Sequence, residues 1–305
     1  AYSKQTGVRI NYQSIGSGGG IRQFTEGTVD FGATDGPMNE SQIAAVNGNV
    51  WHVPTVLGAV VVTYNLPSIG STKLKFDGNL LVEIFMGRVT KWNDKQIAAL
   101  NPGVKLPDMD LVVVHRSDGS GTTYVFTDFL NKFSREWKDK VGYATSVNWP
   151  VGLGGKGNEG VTQQVKQVEG AIGYVELIYA LSNNLPYGII KNAAGSFVEP
   201  SLESVTAAAA GAKMKPDTDF RVSITNAEGA TAYPIASFTW LLVHKDSKDA
   251  AKGKLIKDFL TWMIGPEAQK MAAELKYSPL PAEVVSLIQA RLPTLKAGGK
   301  AIATN

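Results

Sequence analysis

The sequence predicts an α/β fold with parallel sheets, divided into two domains. Three observations carry this expectation. Segments of strand character alternate with segments of helical character along the whole chain. The length, 305 residues, favours two domains over one. Two helix-to-strand passages also look alike, Phe24–Asp35 with Val29-Asp30-Phe31-Gly32 and Val165–Glu176 with Ala171-Ile172-Gly173-Tyr174, a weak echo of two similar halves.

In chain order, Val8–Ile15 reads as a strand, and Ser17-Gly18-Gly19-Gly20 leads into a short helix with Ile21 and Phe24 inward. Val29–Ala33 is the next strand, ending at Thr34-Asp35-Gly36-Pro37, and a helix follows at Glu40–Val46. Val50–Val53 and Gly58–Tyr64 read as strands, the second a continuous apolar run of the kind buried on both faces. Helices follow near Gly78–Met86 and Asp94–Leu100. The run Leu111-Val112-Val113-Val114 is a buried strand, and the helix after it carries Val125, Phe129 and Phe133 on one side. Beyond Pro150 a glycine-rich loop, Gly152–Gly160, precedes a helix at Val161–Gln167 and the strand Ala171–Tyr174. The alanine-rich segment Ser201–Lys213 is helical by propensity. Phe238–His244 is a strong strand, and helices at Ala250–Met263, Pro266–Leu275 and after Pro281 close the chain.

Composition narrows the function. Thirty basic and 27 acidic residues are mixed along the chain for a formal charge of +3, which leaves no nucleic-acid footprint and no polybasic membrane patch. The absence of cysteine excludes disulfides, thiolate metal sites and cysteine nucleophiles. The longest apolar run, Val53–Leu66, is broken by Pro54, Thr55, Gly58 and Thr63 and falls short of a membrane span. No signal peptide is visible and the chain opens on Ala1, as expected of a processed or trimmed product.

The chemistry concentrates at His115-Arg116-Ser117-Asp118-Gly119-Ser120-Gly121-Thr122-Thr123. Strand, glycine-rich turn and helix start are the parts of an oxyanion cradle: the glycines turn N–H groups toward one point, and Ser120, Thr122 and Thr123 add hydroxyls. Arg116 offers a fork of donors suited to phosphate or carboxylate, and Asp118 can hold that fork in place or cap the helix. The string alone also suits a surface turn with a helix cap. A second stretch of the same design, Ile15-Gly16-Ser17-Gly18-Gly19-Gly20, points to two helix starts facing one crevice at the carboxyl ends of strands. Asp35 would repel a bare anion and becomes favourable only where the anion carries a proton to share, as phosphate does near neutral pH and sulfate does not. It equally suits a strand-end turn.

Other patterns are weaker. Gly152-Leu153-Gly154-Gly155-Lys156-Gly157 matches a dinucleotide fingerprint with Glu176 as the ribose acid, but Pro150 precedes it and Glu159 would stand where pyrophosphate must bind. His52, His115 and His244 lie in or beside apolar runs and read as structural, so no metal or cofactor is expected. Neither Ser17 nor Ser120 fits a nucleophile elbow.

Taken together, Gln13-Ser14-Ile15-Gly16-Ser17-Gly18-Gly19-Gly20, Val29-Asp30-Phe31-Gly32-Ala33-Thr34-Asp35, Lys91-Trp92-Asn93-Asp94 and Arg116-Ser117-Asp118-Gly119-Ser120-Gly121-Thr122 resemble the PstS family of periplasmic phosphate-binding proteins, which serve phosphate ABC transporters. The resemblance continues through Tyr233-Pro234-Ile235 and Leu275–Pro281. It implies a two-lobed periplasmic binding-protein fold (type II), with mixed, mostly parallel sheets and a hinge crossed near Thr63–Asn65 and Tyr233–Ser237. Residues 1–63 with 233–305 would form one lobe and 64–232 the other. Phosphate contacts would fall on Ser17, Asp35, Arg116, Ser120, Gly121 and Thr122, with Asp118 pairing the arginine. The implied protein is a monomer in the periplasm or another extracytoplasmic space, without enzymatic activity, that captures inorganic phosphate and delivers it to a membrane-embedded ABC permease. A structural, adhesive or signalling protein of the same fold, or a phosphoester-handling enzyme, is the alternative. Family members usually begin with a strand and a Gly-Ala-Gly-Ala-Thr/Ser-Phe segment that also touches phosphate. This chain starts after that point, so a strand and one wall of the site are expected to be missing, through trimming, rearrangement or supply by a partner.

Overall fold

A computed structural model describes residues 1–212, 214 and 219–302. The chain opens with α1 (Tyr2–Thr6), α2 (Gly16–Glu26), β1 (Gly32–Thr34), α3 (Glu40–Ala45) and the long strand β2 (Trp51–Tyr64). Next come β3 (Lys75–Phe76), α4 (Gly78–Phe85), α5 (Lys95–Leu100), β4 (Val112–Arg116), α6 (Gly121–Asn131) and α7 (Arg135–Lys140). The middle continues with β5 (Leu153–Gly155), α8 (Gly157–Gln167), β6 (Ala171–Glu176), α9 (Leu177–Ser182), β7 (Ile189–Lys191), β8 (Phe197–Val198) and α10 (Leu202–Ala210). The chain closes with β9 (Ala236–Val243), β10 (Asp246–Ser247), α11 (Ala250–Met263), α12 (Pro266–Glu274), α13 (Ala282–Arg291), β11 (Lys296–Ala297) and β12 (Lys300–Ala301).

The main sheet has six strands in the order β1-β9-β2-β6-β4-β5. It is mixed. Parallel pairing is confined to β6-β4-β5, while β1-β9, β9-β2 and β2-β6 are antiparallel. The cause is the course of the chain, which runs out along β2 and returns along β9. β2 pairs Trp51–Ala59 with β9, then exchanges partners and pairs Val60–Tyr64 with β6. Two three-stranded ribbons, β3-β7-β8 and β10-β11-β12, flank the main sheet.

Most elements form where the sequence places them, and side-chain caps explain their starts. Asp77 accepts from the Leu80 N–H at the head of α4, Asp94 from Gln96 at α5, and Ser201 from Ser204 at α10, each satisfying an otherwise orphaned donor. Of the helix expected over Ser201–Lys213, Lys213 lies outside the described residues. The main core includes Trp92, Phe85, Phe126 and Tyr174, all fully buried, with the Phe126 and Tyr174 rings stacked 4.5 Å apart.

Three expectations are corrected. Residues 8–15 form no strand: the segment is irregular and mostly solvent-exposed. A groove of about 500 Å³ separates it from β1, and a strand pattern without a ladder partner leaves backbone groups to water. Val50–Val53 and Gly58–Tyr64 are not two strands but parts of β2, because a register shift between Pro54 and Val56 lets the ladder pass a residue without an N–H. The helix expected to carry Val125, Phe129 and Phe133 ends before Phe133, at Asn131, and Ser134 accepts from the Trp137 N–H to start a new helix, α7.

Candidate functional site

Arg116 is the last residue of β4, buried in the main sheet's edge region. Its backbone N–H donates to the Tyr174 hydroxyl at 3.1 Å, so the core aromatic on β6 fixes the strand end that carries the guanidinium. Asp118 then grips the side chain in a bidentate pair, with Nε to Oδ1 and Nη2 to Oδ2 both 2.7 Å. Nη1 reaches the Thr122 hydroxyl at 3.4 Å, and further N–H groups of the fork remain for a ligand. Burial alone would raise the Asp118 carboxyl, but hydrogen bonds from Arg116 and from the Gly157 N–H, at 3.0 Å, outweigh it and hold it below the usual carboxylate range. The arginine is thus oriented by a partner that is ionised at neutral pH.

Gly121 opens α6, and its bare backbone lets the opposite wall approach. A Cβ there would lie 2.3 Å from Ser17 Oγ and 2.5 Å from Asp35 Oδ2. Ser17, in the first turn of α2, accepts the Asp35 N–H at 3.1 Å. Asp35 follows β1, and its Oδ1 accepts the Thr239 hydroxyl at 2.6 Å. Burial raises the Asp35 carboxyl, opposed by the Thr239 hydrogen bond and the Arg116 charge. The two glycine-rich stretches also meet directly, through a 2.9 Å hydrogen bond from the Gly18 N–H to the Gly119 carbonyl.

Ser17, Asp35, Arg116, Asp118, Gly121 and Thr122 all line one cleft of about 960 Å³. Ser120 does not. It is fully buried as the N-cap of α6, where its Oγ accepts the Thr123 N–H at 3.1 Å, so it shapes the helix start from behind. A second detail of the expected clamp also changes. Only the Asp118–Thr122 stretch follows a strand; the Ile15–Gly20 stretch follows the irregular 8–15 segment, and Gly16–Gly20 already belong to α2.

Other residues line the cleft that the motif reading did not place there. Asn158, near the start of α8, bridges walls: its Nδ2 donates to Thr122 Oγ1 at 3.3 Å and its Oδ1 accepts the Glu176 N–H at 3.2 Å. The glycine run Gly152–Gly157 therefore forms β5 and leads into a helix beside the anion cradle. Thr239, Tyr277, Tyr12 and Glu176 also line the cleft. Glu176 was open to discovery, because it ends β6, which runs parallel to β4, and ligands gather at the carboxyl ends of such strands. Its Oε2 accepts the Tyr277 hydroxyl at 2.5 Å.

The histidines serve packing. His52 Nε2 accepts the Met38 N–H at 3.1 Å and Nδ1 meets Asp219 at 2.6 Å. His115 stacks on Trp149 and His244 on Phe24, with centroids 5.0 and 4.6 Å apart.

A mixed α/β sheet carried from one half of the chain to the other, with a polar cleft lined from both, defines a binding protein of the periplasmic class. The family model described as a PBP superfamily domain matches residues 1–267. The chain is 49% identical over 289 residues to the phosphate-binding protein PstS of Xylella fastidiosa (strain 9a5c), covering 95% of this chain and 79% of that protein. It is 46% identical over 293 residues to the PstS of Pasteurella multocida, covering 96% and 84%. A structure of the periplasmic phosphate-binding protein PfluDING, bound with phosphate, superposes with a TM-score of 0.76 at 22% identity, over 92% of this chain and 87% of that one. The chain belongs to the PstS family of phosphate-binding proteins.

Proposed function

We propose that the protein captures inorganic phosphate between two lobes and delivers it to an ABC-type phosphate permease, in the periplasm or another extracytoplasmic space, without acting chemically on it. Residues 1–63 with 233–305 form one lobe and 64–232 the other. Ser17 and Asp35 contact the anion from the first; Arg116, Gly121 and Thr122 contact it from the second, with Ser120 ordering the α6 N–H groups. The protein works as a monomer. The names borne by its relatives support phosphate as ligand, and among the described residues no helix is long and apolar enough to cross a membrane.

The observation that carries the ligand choice is a carboxylate, Asp35, lining the same cleft as the Arg116 fork. Any tetrahedral oxyanion gains from the arginine. Only one that still carries a proton gains from Asp35 as well, because a carboxylate accepts hydrogen bonds and repels a bare oxyanion. Sulfate has no such proton at neutral pH. Closure is favoured because the ligand touches both walls only in the closed form. Titration calorimetry on the native protein should show phosphate bound and sulfate excluded. In Asp35→Asn, whose amide can donate, the preference should narrow by at least about tenfold, roughly 1.4 kcal/mol. Equal binding of both anions by the native protein refutes the reading.

A further inference from the structure

The cleft holds one more carboxylate than the capture of a dianion explains. Asp35 and Glu176 both line it, and both also line a small recess beneath it with Thr122, Ser237 and Thr239. The buried cation beside them, Arg116, is already matched by Asp118 in a bidentate pair. Around the rim the remaining charges are exposed: Arg22 on α2, and Lys156 and Glu159 at the start of α8. Three phenols also face the cleft, Tyr12 from the 8–15 segment, Tyr179 from α9 and Tyr277 after α12. A dianion entering beside two ionised carboxylates and a neutralised arginine would be repelled on balance. One carboxyl must therefore hold a proton. Asp35 cannot be that group if it accepts the hydrogen of the anion, which leaves Glu176.

The surroundings of Glu176 suit a neutral acid. Tyr277 donates to Oε2, Gly58 faces Oε1 with only a backbone, and Val60 lies opposite in the ladder. Burial first, and the nearby Asp35 charge second, push its carboxyl up to about 8, against the opposing pull of Tyr277 and Arg116.

We propose that Glu176 sets the pH dependence of the phosphate cleft, as a carboxylic acid that keeps its proton while the dianion is bound. This rests on the phosphate reading above and adds proton linkage to it. The sign follows from like charge: a bound dianion makes Glu176 harder to ionise than in the empty protein, so the effect of Glu176 on affinity is constant at lower pH and becomes unfavourable as pH rises above about 8.

The test compares phosphate affinity by titration calorimetry in native protein and in Glu176→Gln, from about pH 6 to about pH 9.5. The amide mimics the protonated acid, and the ratio of the two affinities at each pH cancels the titration of phosphate itself. The ratio should hold one constant value, whatever it is, from about pH 6 to about pH 7. Above about pH 8 it should move from that value in favour of the glutamine variant, by up to about tenfold per pH unit. Tyr277→Phe removes a donor that favours the ionised form, so its fall in affinity should begin at higher pH than in native protein. This variant also decides the matter if Glu176→Gln does not fold. A flat ratio across the range, or an unshifted fall in Tyr277→Phe, overturns the proposal while leaving phosphate capture intact. No phosphate binding by the native protein at any pH overturns both.

Discussion

Replacing Gly119 with alanine sets a methyl group between the two glycine-rich stretches that meet across the cleft. The new Cβ would stand 2.9 Å from Gly18 Cα and 3.4 Å from Gly18 N, closer than carbon atoms pack. Gly119 has no positive φ, so alanine costs nothing locally and each wall keeps its own fold. The cost falls on the approach. It comprises the hydrogen bond from Gly18 N–H to Gly119 O, about 1 kcal/mol, and crowding against backbone that cannot rotate away, about 1–3 kcal/mol. Together these predict phosphate binding weakened by about 2–4 kcal/mol, roughly 30-fold to 1000-fold. Titration calorimetry reads the affinity, and far-ultraviolet circular dichroism checks that the fold persists. A dissociation constant within about threefold of native would show that the glycine contact plays no part in closure.

Arg116→Ala should weaken phosphate by about 3 kcal/mol, since charge-assisted hydrogen bonds are lost and Asp118 is left unpaired beside the anion; unchanged affinity in calorimetry would remove Arg116 from the site. Asp118 has a lowered carboxyl, so its contribution to stability is complete above the ordinary aspartate value of about 4 and is lost as pH falls through the lower folded value. Urea midpoints of Asp118→Asn should therefore depend less on pH in that acid window than native midpoints do. Trp92→Ala should cost about 3–5 kcal/mol in urea unfolding, because the ring is fully buried and its Nε1 donates to the Gly170 carbonyl at 2.8 Å.

What could be read without coordinates was whatever depends on near neighbours in sequence. Arg116, Asp118 and Ser120 stand within one turn, so their strand end, ion pair and helix cap are written in consecutive residues. Glu176 stood out only as the acid of a weak dinucleotide pattern and Tyr277 only within the family resemblance, because their contact joins positions 101 residues apart. Thr239 escaped notice, since only the pairing of β1 with β9 brings it to Asp35. Residues 8–15 depart from their pattern for a complementary reason. An apolar-polar pattern shows that a segment can serve as a strand, but the strand exists only where another edge supplies its hydrogen bonds.

The exchange of partners along β2 bears on how the chain acquires its structure. Trp51 pairs with Val243 and Ala59 with Ala236, so the outer half of the sheet cannot zip until nearly the whole intervening chain has been made. The inner half, β2 with β6, closes over a shorter separation, from Tyr64 to Ile172. Loop-closure entropy favours the shorter pairing first. During synthesis the Trp51–Ala59 segment waits as a hydrophobic strand without its partner, a state that favours chaperone capture.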